Sequence, residues 1–449
     1  MATDVIILAA GKGTRMRSTL PKPLQPIMGK PIIHYALESA APLVKDQPVI
    51  VLGHGAEQIR QTLGDAPCYV EQIDLLGTGH AVRQAESLLR GKSDLVLVTY
   101  VDMPLVRIQT LQQLIDTQKM HSGPMTILTV HEETPRGFGR VIRNSEGQIQ
   151  AVVEEADATP EQLEITELNA GMYCFKSEWL WENLKNLDLS PKGEYYLTDL
   201  VSLATQQGLS VDVVLAEDKE ELIGINTRVH LAEAGKILRK RINTELMLSG
   251  VSLVDPDSVY IESDVKIGQD TLIMPNTYLQ GKTSIGNNCI IGPDTRIFSS
   301  QIGDSCEIEF SVVEQSKIEN EVDIGPFSHL RKGTHIGSRV HIGNFGEIKD
   351  SYLGDGTKVG HFSYLGNAQI GRDVNIGAGT ITCNYDGEKK HQTIIKDGVF
   401  VGSDSMLVAP LELGENSSTG AGSVVTKDVP PDTVVVGIPA RSIARKKKK

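Results

Sequence analysis

Two glycines one residue apart, followed by an arginine and a lysine, form the first constellation able to do chemistry. The stretch Leu8-Ala9-Ala10-Gly11-Lys12-Gly13-Thr14-Arg15-Met16 runs on to Leu20-Pro21-Lys22-Pro23-Leu24. Backbone N–H groups freed from side chains by Gly11 and Gly13 can converge on an anion, and Arg15 and Lys22 add charge. The loop therefore reads as a phosphate cradle, with a structural turn as the competing reading. It is not a dinucleotide fingerprint, since Met16 stands where a third glycine would be, and it lacks the Gly-Lys-Ser/Thr of a P-loop. A second constellation lies in the other half, where Arg331, Lys349, His361, Tyr364, Asn375, Asn384, Tyr385 and Ser403 break an apolar rhythm. An imidazole titrates near neutrality and can take a proton from an attacking amine. Taken alone, His361 reads as a surface or packed residue, and Arg331 and Lys349 as solvated charges.

The elements that must position these groups differ between the halves. Up to about residue 225 the pattern is strand, glycine-bearing loop, helix. Strands are predicted at Val5 to Ala10, Val49 to Leu52, Leu95 to Tyr100 and Met125 to Val130, with amphipathic stretches at Ile32 to Ala40 and Thr110 to Lys119. Alternation of this kind implies a mainly parallel sheet covered on both faces, with ligands bound beyond the carboxyl ends of the strands. Asn226 to Leu248 reads as one helix, with Leu231, Ala234, Leu238, Ile242 and Leu246 recurring at three or four residues. From about Val265 to Val425 an aliphatic residue returns every six positions, as in Ile318, Ile324, Leu330, Ile336, Ile342 and Ile348. That period predicts a three-sided parallel β-helix of roughly nine coils. A glycine follows many of these residues (Gly268, Gly286, Gly337, Gly343 and Gly377 among them), and the expected reason is a corner with positive φ. The repeat is interrupted by the polar insertion Asn384-Tyr385-Asp386-Gly387-Glu388-Lys389-Lys390-His391, expected to project as a loop.

Composition narrows the classes. The chain has 449 residues, 40% hydrophobic and 22% charged, with a net charge of -13. Two or three domains are expected, and the acidic balance argues against a nucleic-acid partner. No apolar run approaches the ~20 residues that span a bilayer. The stretch Val5 to Ala10 is short, preceded by Asp4 and followed by a glycine loop, so it does not read as a signal peptide, and the cytoplasm is the expected location. Five scattered cysteines with no metal-ligand spacing read as reduced thiols. The basic tail, Arg441 and then Arg445 to Lys449, is either a solvated end or a source of one arginine for a cofactor phosphate.

The glycine loop resembles the signature of nucleoside-diphosphate-sugar pyrophosphorylases. The likeness continues through Gln72, Leu76-Gly77-Thr78-Gly79-His80, Tyr100-Val101-Asp102, Gly137-Phe138-Gly139-Arg140, Glu154, Asn169-Ala170-Gly171, Gly193 to Asp199 and Gly224-Ile225-Asn226. Paired with a hexapeptide domain containing Gly360-His361-Phe362-Ser363-Tyr364, the whole chain is similar to the bifunctional N-acetylglucosamine-1-phosphate uridylyltransferase and glucosamine-1-phosphate acetyltransferase family. The resemblance implies an α/β, Rossmann-like nucleotidyltransferase domain at 1–228, a helical linker at 229–250, and a left-handed parallel β-helix with a basic tail at 251–449.

It further implies Mg²⁺ on Asp102 and Asn226, and UTP around Leu8, Ala9, Ala10, Gly11, Arg15, Lys22, Gln72, Gly77 and Thr78. Gly139, Glu154 and Asn169 would contact the sugar. In the second site His361 would be the base. Arg331 and Lys349 would bind the sugar phosphate, and Tyr364 and Asn375 would orient the sugar. Ala378, Asn384, Tyr385, Ser403 and Ala421 would meet acetyl-CoA. The family assembles as homotrimers. Strand-end capping by Asp102 and helix capping by Asn226 are the plain alternatives. Two departures stand out: Val101 and Gly346 occupy positions where the family usually has glycine and valine. A pyrophosphorylase with a β-helix used only for assembly is the alternative to two activities.

Overall fold

The computed structural model describes residues 1–133 and 137–443, so the tail residues Arg445 to Lys449 lie outside them. The chain divides into two compact units between Leu238 and Arg239.

In the first unit the apolar runs become the strands of one sheet. Its order is Val211–Leu215, Met125–His131, Glu167–Lys176, Leu95–Tyr100, Thr3–Ala9, Val49–Leu52 and Cys68–Glu71. Residues of Thr3–Ala9 alternate between two cores: Val5, Ile7 and Ala9 enter one, Ile6 and Leu8 the other. Period-two alternation with both faces apolar is what a sheet sandwiched by helices requires. Helices Ile32–Ala40 and Ile108–Met120 cover the first face, and Ser177–Asn183 and Asp199–Gln206 the second. Most pairings are parallel, but Glu167–Lys176 runs antiparallel to both its neighbours. Its register shifts between Asn169 and Tyr173, and it also carries the ribbon Arg140–Arg143/Ile149–Val153.

A single helix, Arg228–Leu248, contains the junction between the units. Beyond it the chain winds into three sheets of 12, 10 and 9 strands, parallel throughout except for the last strand of the first, Arg441–Ile443. The six-residue register is the inward register: Ile324, Leu330, Ile336, Ile342 and Ile348 are all buried in one continuous core. Ile324 pairs with Ile342, Ile342 with Val359, and Val359 with Ile376, so each coil stacks on the last.

The reason expected for the glycines needs correcting. Of those following the aliphatic residues, Gly292 and Gly325 have positive φ, whereas Gly268, Gly286, Gly337, Gly343 and Gly377 do not. Their requirement is steric: a Cβ on Gly343 would lie 2.0 Å from the carbonyl oxygen of Gly360 in the next coil. Positive φ falls elsewhere, often on polar residues such as Asp270, Asn288, Asn367, Asp373 and Asn416. Short carboxamide and carboxylate side chains tolerate that region better than most others.

Candidate active sites

The first site is built at the carboxyl ends of parallel strands. Leu8 and Ala9 finish the strand Thr3–Ala9, after which Ala10 and Gly11 open the loop. A Cβ at Gly11 would meet nothing within 4 Å, so the loop leaves free space there. Gly13 has a φ of 60°, and a side chain on it would come within 2.8 Å of Lys22 Cβ, so only glycine lets the two loop segments close. The resulting cleft, about 440 Å³, is lined by Leu8, Ala9, Ala10 and Gly11 together with Lys22. Gln72, Gly77, Thr78 and Asp102 line it from the facing segments, as do Tyr100 and Glu194.

Lys22 is the centre of this arrangement. Its Nζ donates to Asp102 Oδ2 at 2.5 Å and to Asn226 Oδ1 at 3.0 Å. Asp102 follows the strand Leu95–Tyr100, and its carbonyl accepts from the Ile225 N–H at 2.8 Å, which fixes the segment carrying Asn226 beside it. The buried Gln72 amide donates to the Gly77 carbonyl at 2.9 Å and contacts His80 Nδ1 at 3.1 Å. Arg15 lies exposed on the short turn Thr14–Met16 and does not line the cleft.

Gly139, Glu154 and Asn169 form a neighbouring group rather than part of the cleft wall. The Gly139 carbonyl accepts from the Asn169 N–H at 2.9 Å, and the Asn169 amide donates to Tyr173 Oη at 2.7 Å. Burial pushes the Glu154 carboxyl above its ordinary pKa, opposed by a hydrogen bond from Thr198 Oγ1 at 3.1 Å. Tyr100 joins the two groups. It is hydrogen-bonded to Thr78, and burial first, then the charges of Glu154 and Asp102, push its phenol well above the usual range.

The second site lies on stacked coils of the β-helix. Leu330 pairs with Ile348, which brings Arg331 beside Lys349 on successive coils. Arg331 donates to Glu347 at 2.7 Å, and Glu347 in turn pairs with Tyr364 in the next coil. The Lys349 ammonium is pushed below the ordinary lysine value, first by Lys390 and then by Arg331. Asn384 donates to Asn367 at 2.7 Å. Its amide and the Tyr364 hydroxyl both approach the space above Gly366, 2.7 and 2.5 Å from where a Cβ would be. Tyr385 is exposed on the projecting loop, its hydroxyl donating to the Gly387 carbonyl at 2.5 Å.

His361 is exposed at a corner between the strands Lys358–Val359 and Ser363–Gly366. Val359 pairs with Ile376, Ile376 with Val401, and Phe400 with Ser418. Carried forward two or three residues, that register puts His361, Ala378, Ser403 and Ala421 in one column up the same corner. Asn375 lies on the adjoining face, paired with Lys358 and Phe400. In the first unit the structure gathers Leu8 to Gly11, Lys22, Gln72, Gly77, Thr78 and Asp102 in one cleft. Asn226 is bonded to Lys22, while Gly139, Glu154 and Asn169 lie beside the cleft and Arg15 outside it. On the β-helix it forms a charged patch at Arg331 and Lys349 and a separate corner column at His361.

Comparison with known proteins identifies the two units. Residues 5–193 match the MobA-like NTP transferase domain, 264–299 the six-repeat bacterial transferase hexapeptide, and 392–427 the hexapeptide repeat of succinyl-transferase. A protein of Pelobacter propionicus named bifunctional protein GlmU is 48% identical over 436 residues, covering 96% of this chain and 95% of its own length. Proteins of the same name from Syntrophomonas wolfei (45%, covering 97% of each chain) and Shouchella clausii (43%, covering 96% and 95%) agree. The chain belongs to the GlmU family.

As a GlmU protein the chain is a bifunctional transferase, with a nucleotidyltransferase unit and a left-handed parallel β-helix. Its two departures are accommodated. Val101 is 5% exposed and packs into the core, while the residue itself forms part of the cleft wall between Tyr100 and Asp102. At Gly346 a Cβ would lie 3.1 Å from Ile342 Cγ2 and 3.3 Å from Ser328 Oγ, so glycine suits the hydroxyl that bonds its N–H. The corner near Arg441 is an antiparallel strand, Arg441–Ile443, against Val434–Val436. Sequence reasoning had singled out neither Tyr100 nor Lys390 as a site residue. Lys390 was legible only as a charge in the polar insertion, and the fold of that loop is what brings it to Lys349.

Proposed function

We propose that this GlmU chain performs two transfers on one sugar phosphate. In the β-helix, the amine of glucosamine-1-phosphate attacks the thioester carbon of acetyl-CoA, the C–S bond breaks and the coenzyme leaves as its thiol. In the amino-terminal unit, a phosphate oxygen of N-acetylglucosamine-1-phosphate attacks the α-phosphorus of UTP. The bond to the bridging oxygen breaks, pyrophosphate leaves, and UDP-N-acetylglucosamine remains.

One observation carries the second transfer: Lys22, Asp102 and Asn226, separated by 80 and 204 positions from Lys22, converge beside a glycine-lined cleft. No protein nucleophile is needed there. Alignment of the two substrates and neutralisation of phosphate charge lower the barrier. Arg15 and Lys22 supply positive charge, Gln72, Gly77 and Thr78 hold the uridine end, and Gly139, Glu154 and Asn169 hold the sugar.

Asp102 and Asn226 fit Mg²⁺, because a carboxylate and an amide oxygen already point at one positive charge. That ion takes only one or two protein oxygens when phosphates and water supply the rest. Bound there, it would stabilise charge on the phosphate oxygens.

At the second site His361 takes the proton released by the amine, and backbone N–H groups stabilise the oxyanion. Arg331 and Lys349 hold the phosphate, with Tyr364 and Asn375 on the sugar. Asn384, Tyr385, Ala378, Ser403 and Ala421 line the acetyl-CoA path. The functional domains are 1–228 and 251–449, with the helix between them as linker. We also read the chain as a cytoplasmic homotrimer. No helix among the described residues is long and apolar enough to cross a membrane. The ring pairs Phe310–Phe327 and Phe327–Phe345 run up one β-helix corner, an apolar stripe suited to another copy.

The test measures thiol release and pyrophosphate release in one preparation of the parent, Asp102→Ala and His361→Ala proteins. Asp102→Ala should abolish pyrophosphate release alone. His361→Ala should lower thiol release alone, by about 10²–10⁴-fold. A parent that releases no thiol with glucosamine-1-phosphate would favour the scaffold reading.

A further inference from the structure

The Lys22 ammonium stands where the proposed cation would have to stand. It lies 2.5 Å from Asp102 and 3.0 Å from Asn226, with side-chain exposures of 12% for Lys22 and 24% for Asp102. A magnesium ion needs its oxygens at about 2.0–2.1 Å, so it cannot enter between them while the ammonium remains. Two cations a few Å apart also repel, and the pair offers only one carboxylate to offset them.

We infer that Lys22 and a divalent cation are mutually exclusive occupants of the Asp102–Asn226 pair, and that nucleotide phosphates draw Lys22 off and open the seat. The inference rests on the cation-site reading above and adds an order to it: the nucleotide-free chain binds the cation poorly. The geometry allows the exchange. Lys22 lines the same cleft as Gly11 and Lys12, and its stem packs beside Gly13, so a rotation of the four-carbon chain can turn the ammonium toward a phosphate held over the loop. In the free protein Lys22 keeps the two oxygens converged. Once a polyanion fills the loop, its charge favours both the displaced ammonium and an entering cation. Cation and nucleotide then bind cooperatively, each strengthening the other.

The test uses the full chain without nucleotide and Mn²⁺ as the probe, with free ion followed by electron paramagnetic resonance. Lys22→Met should bind Mn²⁺ about tenfold more tightly than the parent, as expected when one partly buried ion pair no longer competes. Lys22→Gln, which keeps a donor but loses the charge, should also bind more tightly, and guards against misfolding of the first variant. Adding Asp102→Asn to Lys22→Met should erase the gain. Parent-like Mn²⁺ affinity in both Lys22 variants would overturn the exclusion, provided the UTP-bound parent still holds Mn²⁺ in an Asp102-dependent way. Mn²⁺ binding that is indifferent to Asp102, with and without UTP, would instead overturn the underlying site reading.

Discussion

In the amino-terminal cleft the cation Lys22 is already matched to a carboxylate at 2.5 Å, whereas on the β-helix Lys349 faces Lys390 and Arg331, with Asp350 at 3.9 Å. The cleft is a pocket in a sheet whose strands are brought together from across the unit. The second site is a patch on a repeating surface. The contrast follows from the folds. Strand ends in an open sheet converge, so a lysine, an aspartate and an asparagine distant in sequence can interlock. A β-helix stacks equivalent positions at one coil spacing, so like charges at the same position are held side by side. Glu347 offsets Arg331 at 2.7 Å, and the remaining positive charge makes the patch favourable for a phosphate.

The contrast can be broken most severely through the scaffold. Ile342 is 0% exposed, between Ile324 and Val359 on adjacent coils. Ile342→Ala should cost about 2–5 kcal/mol. Calorimetry should show the loss in the β-helix transition, with thiol release failing at a lower temperature than pyrophosphate release. A smaller change sharpens the electrostatic half. Lys390→Ala removes a like charge from Lys349, so it should cost little stability, yet raise the KM for glucosamine-1-phosphate by about tenfold, the loss expected of one charge-assisted phosphate contact. An unchanged KM would show that Lys390 does not reach the phosphate.

The smallest effect is on Glu154. Burial raises its carboxyl pKa in the folded state, so the folded chain holds that proton more firmly than the unfolded one. The resulting penalty is present above the folded pKa and vanishes as pH falls through it. Glu154→Gln should therefore raise Tm slightly at neutral pH and leave it unchanged in acid, while weakening sugar binding. An equal Tm shift at both pH values would exclude burial of charge as the cause.

The two halves were legible in the sequence in opposite measure. The inward set Ile324 to Ile348 lies where the six-residue period puts it, because one dominant constraint, a closed apolar prism, acts at every coil. The glycines there were visible but wrongly explained: Gly343 answers to the backbone of the next coil, which no local reading reveals. In the first unit the strands Val49–Leu52 and Leu95–Tyr100 were legible from their apolar runs. Glu167–Lys176 was not, since Asn169-Ala170-Gly171 interrupts its pattern at the register shift. The site residues came from motif resemblance, and their partners came from folding. The Lys22 contacts to Asp102 and Asn226, and that of Lys349 to Lys390, join residues whose separation carries no local signal.

The most direct measurement follows thiol release and pyrophosphate release together in the intact chain while divalent cations are removed by a chelator and then restored. Two separate centres, one seated on Asp102 and Asn226 and the other on His361, predict that pyrophosphate release stops and recovers while thiol release stays constant. Loss of both signals together, or of neither, would contradict that account.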